Sequence, residues 1–274
     1  MPAEGRRAAL RRAAAQLAAC SATPRLDAEL LMADALGIER ETLLLGADGP
    51  VPDGFAARLA RRAAGEPIAY IVGGRDFWDM HLAVGPGVLI PRPDSETLIE
   101  AAIAHFAGSA GPRTILDLGT GSGALLLAAL RHWPAARGVG IDRAEAALAT
   151  AAANAAALGL SARAEIRAGD WSGTGDRFDL ILCNPPYIGT GETLPRDVVE
   201  HEPHGALFAG EDGLDAYRAL LPLLPAQLAP AGVACVEIGW SQADAVAALA
   251  RAQGLSVAVR HDLAGHARCL AITG

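Results

Sequence analysis

Asn184-Pro185-Pro186-Tyr187 follows the apolar run Leu180-Ile181-Leu182-Cys183. Two prolines in succession cannot continue a strand ladder, because each lacks the backbone donor. The run therefore ends there. It opens into a loop presenting one carboxamide and one aromatic ring, and functional residues gather on such loops. A second stretch of this kind is Ile115–Leu118 running into Gly119-Thr120-Gly121-Ser122-Gly123 ahead of a helical pattern. Glycines permit a sharp turn and let a ligand approach the backbone closely. With Ala124 the loop also reads G-x-G-x-x-A, the dinucleotide fingerprint; a tight strand-to-helix turn without a ligand is the plain alternative. Asp142 ends the next strand pattern. Its carboxylate can accept hydrogen bonds from both hydroxyls of a ribose, as for any adenosine-containing ligand, or it can cap the following helix. Asp170 and Trp171 end the strand pattern after that. The acid can accept from an adenine amino group and the indole can stack on the ring; ordinary loop roles are the alternative for both. Four consecutive strand ends would then line one crevice.

These residues need strands and helices in alternation to bring them together. The strand patterns are Thr114–Leu118, Gly138–Asp142, Ala164–Ala168, Phe178–Cys183, Val233–Ile238, Leu255–Arg260 and Arg268–Ile272. Helical stretches separate the first six, which predicts a parallel sheet covered on both faces. The short link between the last two permits only antiparallel pairing. The expected fold is α/β, a mostly parallel seven-stranded sheet with one reversed strand. Ahead of it, residues 1–72 read as a small helical bundle: Pro24 opens a helix with Leu26, Leu30 and Ala33 on one face and Gly37 as its stop, and another spans Asp53–Ala64. Residues 73–93 alternate apolar and polar side chains between glycines and read as a β-hairpin linker, ended by Pro91 and Pro93. The sheet domain is expected over residues 94–274.

Bulk composition narrows the classes. The formal charge of −8 argues against a dedicated binder of duplex nucleic acid, whose affinity rests on phosphate neutralisation. Arg6, Arg7, Arg11 and Arg12 form one basic cluster, read as a solvated helix face. Cys20, Cys183, Cys235 and Cys269 have no C-x-x-C or His-cluster spacing, so no metal site is expected. Cys183 and Cys235 read as buried thiols, suited to a reducing cytoplasm. No segment has the length and apolarity of a membrane span, and the amphipathic N-terminus does not resemble a secretory signal.

With these motifs in hand, the chain resembles the S-adenosylmethionine-dependent methyltransferases built on a seven-stranded sheet. Asn184-Pro185-Pro186-Tyr187 resembles the hallmark of the branch that methylates nitrogen on a planar carbon. Within it, "GEPIAYIVGGRDFW", "VLIPRPDSETLIE", "ILDLGTGSG", "FDLILCNPPYI", "EPHGALFAGEDGLDAYR" and "VEIGWSQ" occur in the order of the release factor glutamine methyltransferases, from about residue 65 to 240. "LDAELLMADALG" also resembles that family's substrate-binding domain. One departure is "PRPDSE", where the family usually reads Pro-Arg-Pro-Glu-Thr-Glu; it weakens any specific role for Ser95, while Glu96 keeps the last acid.

The resemblance implies methyl transfer from S-adenosylmethionine, leaving S-adenosylhomocysteine, to the glutamine amide of the Gly-Gly-Gln motif of peptide chain release factors in translation termination. Asp117, Gly119, Thr120, Gly121, Ser122, Gly123, Asp142, Asp170, Trp171 and Asn184 would hold the cofactor. Asn184, Pro185, Pro186 and Tyr187 would hold the substrate. An amide nitrogen is a weak nucleophile, so its two N–H groups need fixed acceptors: the Asn184 side-chain oxygen and the Pro185 carbonyl. Tyr187 would pack against the planar amide. Attack needs no strong base, since the product afterwards loses a very acidic proton. Arg92 could touch substrate or cofactor, or pair with Glu96. His201, Glu202 and His204 could shape a substrate channel or be structural. The runner-up is a nucleic-acid amino methyltransferase, which uses the same acceptors but usually adds a basic recognition module. A nicotinamide-dependent oxidoreductase gives no reason for Asn184–Tyr187, and an intact tetrapeptide disfavours a binding module without chemistry.

Overall fold

The structure is a computed structural model that describes residues 5–274; residues 1–4 of the expected helical domain lie outside it. The chain divides into two compact units. One holds the chain up to Gly74 together with Leu194–His201, and the other holds Arg75–Thr193 and Glu202–Gly274.

The first unit is helical: α1 (Arg6–Leu17), α2 (Pro24–Leu36), α3 (Arg40–Leu45), α4 (Phe55–Ala63), α5 (Ile68–Val72) and, from the later segment, α9 (Arg196–His201). Pro24 opens α2 where its missing N–H costs nothing, and Gly37 ends it in the left-handed region at φ +66°. The face of α2 differs from expectation. Ala33 is buried as expected and Leu30 is half-buried, but Leu26 is exposed, while Ala28, Leu31 and Met32 are buried beside two acids, Asp27 and Glu29. Arginines make that burial possible: Arg62 Nε donates to Asp27 at 2.7 Å and Arg40 Nε to Glu29 at 2.9 Å. Hydrophobic spacing alone cannot show such pairing.

The second unit opens within the two-stranded sheet of β1 (Gly74–Phe77), whose first residue closes the helical unit, and β2 (Met80–Ala83). Its main sheet comprises β3 (Thr114–Leu118), β4 (Arg137–Asp142), β5 (Ala164–Ala168), β6 (Phe178–Cys183), β7 (Leu228–Glu237), β8 (Ser256–His261) and β9 (Ala267–Thr273), in the order β5-β4-β3-β6-β7-β9-β8. Strands β3 to β7 pair in parallel, and β9 lies antiparallel to both β7 and β8. The seven-stranded, mostly parallel sheet is therefore as the sequence indicates; what the short β8–β9 link left open is that β9 inserts between β7 and β8.

Side chains of β6 alternate between two cores. Leu180 and Leu182 join a cluster with α6 (Glu96–His105), α7 (Ala124–His132) and the hairpin residues Phe77 and Leu82. Ile181 and Cys183 join another with α10 (Asp215–Leu220), α11 (Leu224–Gln227) and α12 (Ala243–Arg251). A strand buried on both faces reads as a continuous apolar run, which explains the sequence of β6. The strand order reverses between β3 and β6. Open α/β sheets bind ligands beyond the carboxyl ends of strands at such a switch point.

Candidate active site

Leu118 pairs with Cys183 at the ends of β3 and β6. The glycine loop and the Asn184 tetrapeptide therefore leave the sheet side by side. A Cβ built at Gly119 would stand 4.0 Å from the Asn184 carbonyl oxygen. Between them opens a crevice of about 1160 Å³, counted out to its mouth.

Of the residues singled out from sequence, Gly119, Thr120, Gly121, Ser122, Asp142, Asp170, Trp171, Asn184 and Pro186 line this crevice. Gly119 has φ +72°, and the Trp171 ring lies where its Cβ would make contact, at 3.4 Å. Glycine therefore serves both the turn and the close indole. Asp142 lies across the loop. Its Oδ2 accepts from Gly121 N and its Oδ1 from Ala144 N, both at 2.9 Å. It braces the loop and holds the turn that leads into α8 (Glu145–Ala157), whose N-cap position is Ala144. Two of a carboxylate's roughly four acceptor sites stay open for ribose hydroxyls. Asp170 accepts from the hydroxyl and the N–H of Ser172, which hold its carboxyl below the ordinary range.

Four of the expected residues lie behind the lining. Gly123, at φ +85°, has Leu127 Cδ1 3.0 Å from its would-be Cβ and serves close packing of the loop on α7. Asp117 is fully buried, with Oδ2 accepting from Thr120 Oγ1 at 2.6 Å and from Leu126 N at 3.3 Å. Burial pushes its carboxyl up to about 7 against those two hydrogen bonds, with the nearby Asp142 charge adding to the rise. Pro185 is buried. Tyr187 is anchored at both ends: its hydroxyl donates to Glu237 Oε1 at 3.2 Å, and its carbonyl accepts from Gln242 Nε2 at 2.9 Å. Burial, then the neighbouring Glu237 charge, raises the phenol's pKa, so the hydroxyl stays a donor.

Sequence reasoning missed two residues. Ser95 lines the crevice and accepts from Asn184 Nδ2 at 3.1 Å. Ser95 Oγ in turn donates to Glu237 Oε2 at 2.5 Å. The departure from the family's usual Thr keeps the hydroxyl, and through it Ser95 contacts the Asn184 tetrapeptide. Glu237 is 1% exposed. The available signal was a lone acid in the apolar run "VACVEIG". Arg92 pairs with the buried Glu202, which also accepts from Ile90 N at 3.0 Å; Glu96 instead accepts from Trp78 N at 2.7 Å. Glu202 thus joins the Ile90–Arg92 segment to the Pro203–Ala206 turn along the crevice. No cluster of metal-binding side chains occurs among the described residues.

A reversed strand in a parallel seven-stranded sheet, with a glycine loop and the Asn184 turn at its switch point, defines a Rossmann-like methyltransferase. Residues 95–201 match the methyltransferase small domain, and residues 8–73 match the PrmC N-terminal domain. A methyltransferase from Pyrococcus furiosus superposes with a TM-score of 0.55 at 18% identity, over 79% of this chain and 97% of that one. The chain belongs to the release factor glutamine methyltransferase family. It is 47% identical over 270 residues to the Cereibacter sphaeroides release factor glutamine methyltransferase, covering 95% of both chains. It is 46% identical over 255 residues to that of Rhodospirillum rubrum, covering 90% of this chain and 78% of that one.

Proposed function

We propose that this protein transfers a methyl group from S-adenosylmethionine to the side-chain amide nitrogen of the Gly-Gly-Gln glutamine in peptide chain release factors. The observation that carries the reading is the position of Asn184. It sits on the crevice wall beside the glycine loop, with its amide nitrogen already engaged by Ser95.

The crevice fits the cofactor by the chemistry of its walls. Asp142 offers acceptors for ribose hydroxyls, Trp171 offers a ring face, and Gly119–Ser122 offers backbone unshielded by bulky side chains. When bound, S-adenosylmethionine supplies an electrophilic methyl group. The chain's own work is positioning. The Asn184 side-chain oxygen and the Pro185 backbone carbonyl accept the two N–H groups of the substrate amide, hold its nitrogen in line and stabilise the positive charge that develops there. Pro185 and Pro186 bring no competing donors, and anchoring at both ends keeps the Tyr187 ring in place.

The test is transfer of label from S-adenosylmethionine to three acceptors: a bacterial release factor, its Gly-Gly-Gln→Gly-Gly-Ala variant, and nucleic acid. Label on the first alone is expected. Label on the variant or on nucleic acid would overturn the reading.

A further inference from the structure

We propose that Ser95 and Glu237 form a hydrogen-bonded chain that fixes which way the Asn184 carboxamide faces, making both positioning residues for methyl transfer. The inference rests on the glutamine-methylation reading and adds to it a device that polarises the acceptor.

A carboxamide has two ends of similar shape, and only its hydrogen-bond network decides which end points where. Here the network has one direction. An ionised Glu237 can only accept. Its two oxygens take the Ser95 hydroxyl at 2.5 Å and the Tyr187 hydroxyl at 3.2 Å. Ser95 has one proton, and Glu237 engages it. Toward Asn184, Ser95 can then only accept, and only the Nδ2 end of the carboxamide donates, at 3.1 Å. The oxygen is left as the end available to the crevice. One buried acid thereby orients both Asn184 and Tyr187. The members come from distant segments, with Ser95 just ahead of α6, Asn184 and Tyr187 beyond β6, and Glu237 ending β7. Ser95 and Glu237 are 4% and 1% exposed, so water does not compete for them.

A protonated Glu237 could donate to Ser95 instead. The serine proton would then be free to meet the carboxamide oxygen, and either end could face the crevice. A donor presented to a substrate NH₂ group would repel it. The groups facing Glu237 are Ser95, Tyr187, Arg268 and Asp94, with Tyr217 donating to its backbone carbonyl at 2.9 Å and the thiols of Cys183 and Cys269 close by. Burial pushes the Glu237 carboxyl up to about 7; Ser95, Arg268 and Tyr187 oppose that rise and Asp94 adds to it. The oriented state therefore forms as pH rises through neutrality.

Ser95→Ala, Ser95→Thr and Glu237→Gln are compared with the parent for folding, cofactor affinity, kcat against release factor over pH 6 to 9, and hydrogen exchange of the Asn184 side-chain amide by nitrogen-15 NMR. Ser95→Ala is expected to lower kcat by about tenfold, the scale of one hydrogen bond, with cofactor affinity unchanged and exchange accelerated. Ser95→Thr is expected to restore both. Glu237→Gln is expected to remove the acidic limb of the kcat profile near neutrality, and it carries the test if Ser95→Ala does not fold. Parent-like kcat and slow exchange in Ser95→Ala, or an unchanged limb in Glu237→Gln, would overturn the proposal. Failure of the parent protein to label release factor would instead overturn the reading beneath it; the exchange measurement needs no substrate and separates the two.

Discussion

Asn154, on α8, donates from Nδ2 to the Ser122 carbonyl at 2.9 Å and so ties that helix to the glycine loop. The same carboxamide closes a pair of hydrogen bonds with the Ala83 backbone, at 2.8 and 3.0 Å, at the end of β2. One buried side chain thus joins hairpin, helix and cofactor loop. Replacing it by leucine would leave three backbone groups without a partner. We expect a loss of about 2–3 kcal/mol in stability, measured by denaturant unfolding. Weaker cofactor binding should accompany it, because the loop loses its brace. An Asn154→Leu protein of unchanged stability would contradict this account.

Gly119 and Gly159 allow a controlled comparison. Both lie in the left-handed region, at φ +72° and +70°, but only Gly119 has a neighbour, Trp171, at contact distance from a would-be Cβ. Alanine at either position should cost about 1–2 kcal/mol from backbone strain. Only Gly119→Ala should also weaken S-adenosylmethionine binding, as read by calorimetric titration. Equal affinities in the two variants would show that the loop's close approach to Trp171 has no part in binding.

Asp117 makes a prediction about pH. Its carboxyl titrates near 7 in the folded chain and near the ordinary aspartate value of about 4 when unfolded. Between these limits the folded chain holds a proton that the unfolded chain has lost. The stabilisation is therefore complete below about pH 4 and disappears as pH rises to about 7, a change of order 4 kcal/mol. Asp117→Asn removes that dependence. The stability difference between ligand-free variant and parent should shift in the variant's favour from pH 5 to pH 8; a difference independent of pH would show that the acid ionises normally.

In the helical unit, Arg62 donates to the buried Asp27 at 2.7 Å and also approaches Asp197 at 3.3 Å. Removing one partner of a buried pair strands the other, so Arg62→Met should destabilise the protein by about 3–5 kcal/mol. Arg62→Met with Asp27→Leu should recover much of that loss, because the uncompensated charge goes too. Thermal unfolding of the parent, single and double variants decides it, and a double variant no better than Arg62→Met would contradict the argument.

How far the sequence could be read depended on whether a residue interrupts a pattern. Gly119–Gly123 and Asn184–Tyr187 break apolar runs with residues that strands exclude, and Gly119 to Ser122, Asn184 and Pro186 line the crevice. The alternation of β6 between two cores was legible in the uninterrupted apolar stretch Leu180 to Cys183. The insertion of β9 between β7 and β8 was not, because a short link fixes only who pairs with whom along the chain. Nor was the whole buried face of α2, where Asp27 and Glu29, paired with arginines, are buried at positions outside the apolar spacing of Leu26, Leu30 and Ala33. Ser95 and Glu237 escaped for a related reason. Each is a single polar residue whose partner comes from a distant segment, and nothing local in the chain gives that partner's address.

The most direct test of the central claim is single-turnover methylation of release factor by Asn184→Ala, with cofactor affinity measured on the same preparation. The account predicts retained S-adenosylmethionine binding and a rate lower by about 10²–10³, the scale on which a preorganised hydrogen-bonding group acts. Retained binding with an undiminished rate would contradict it.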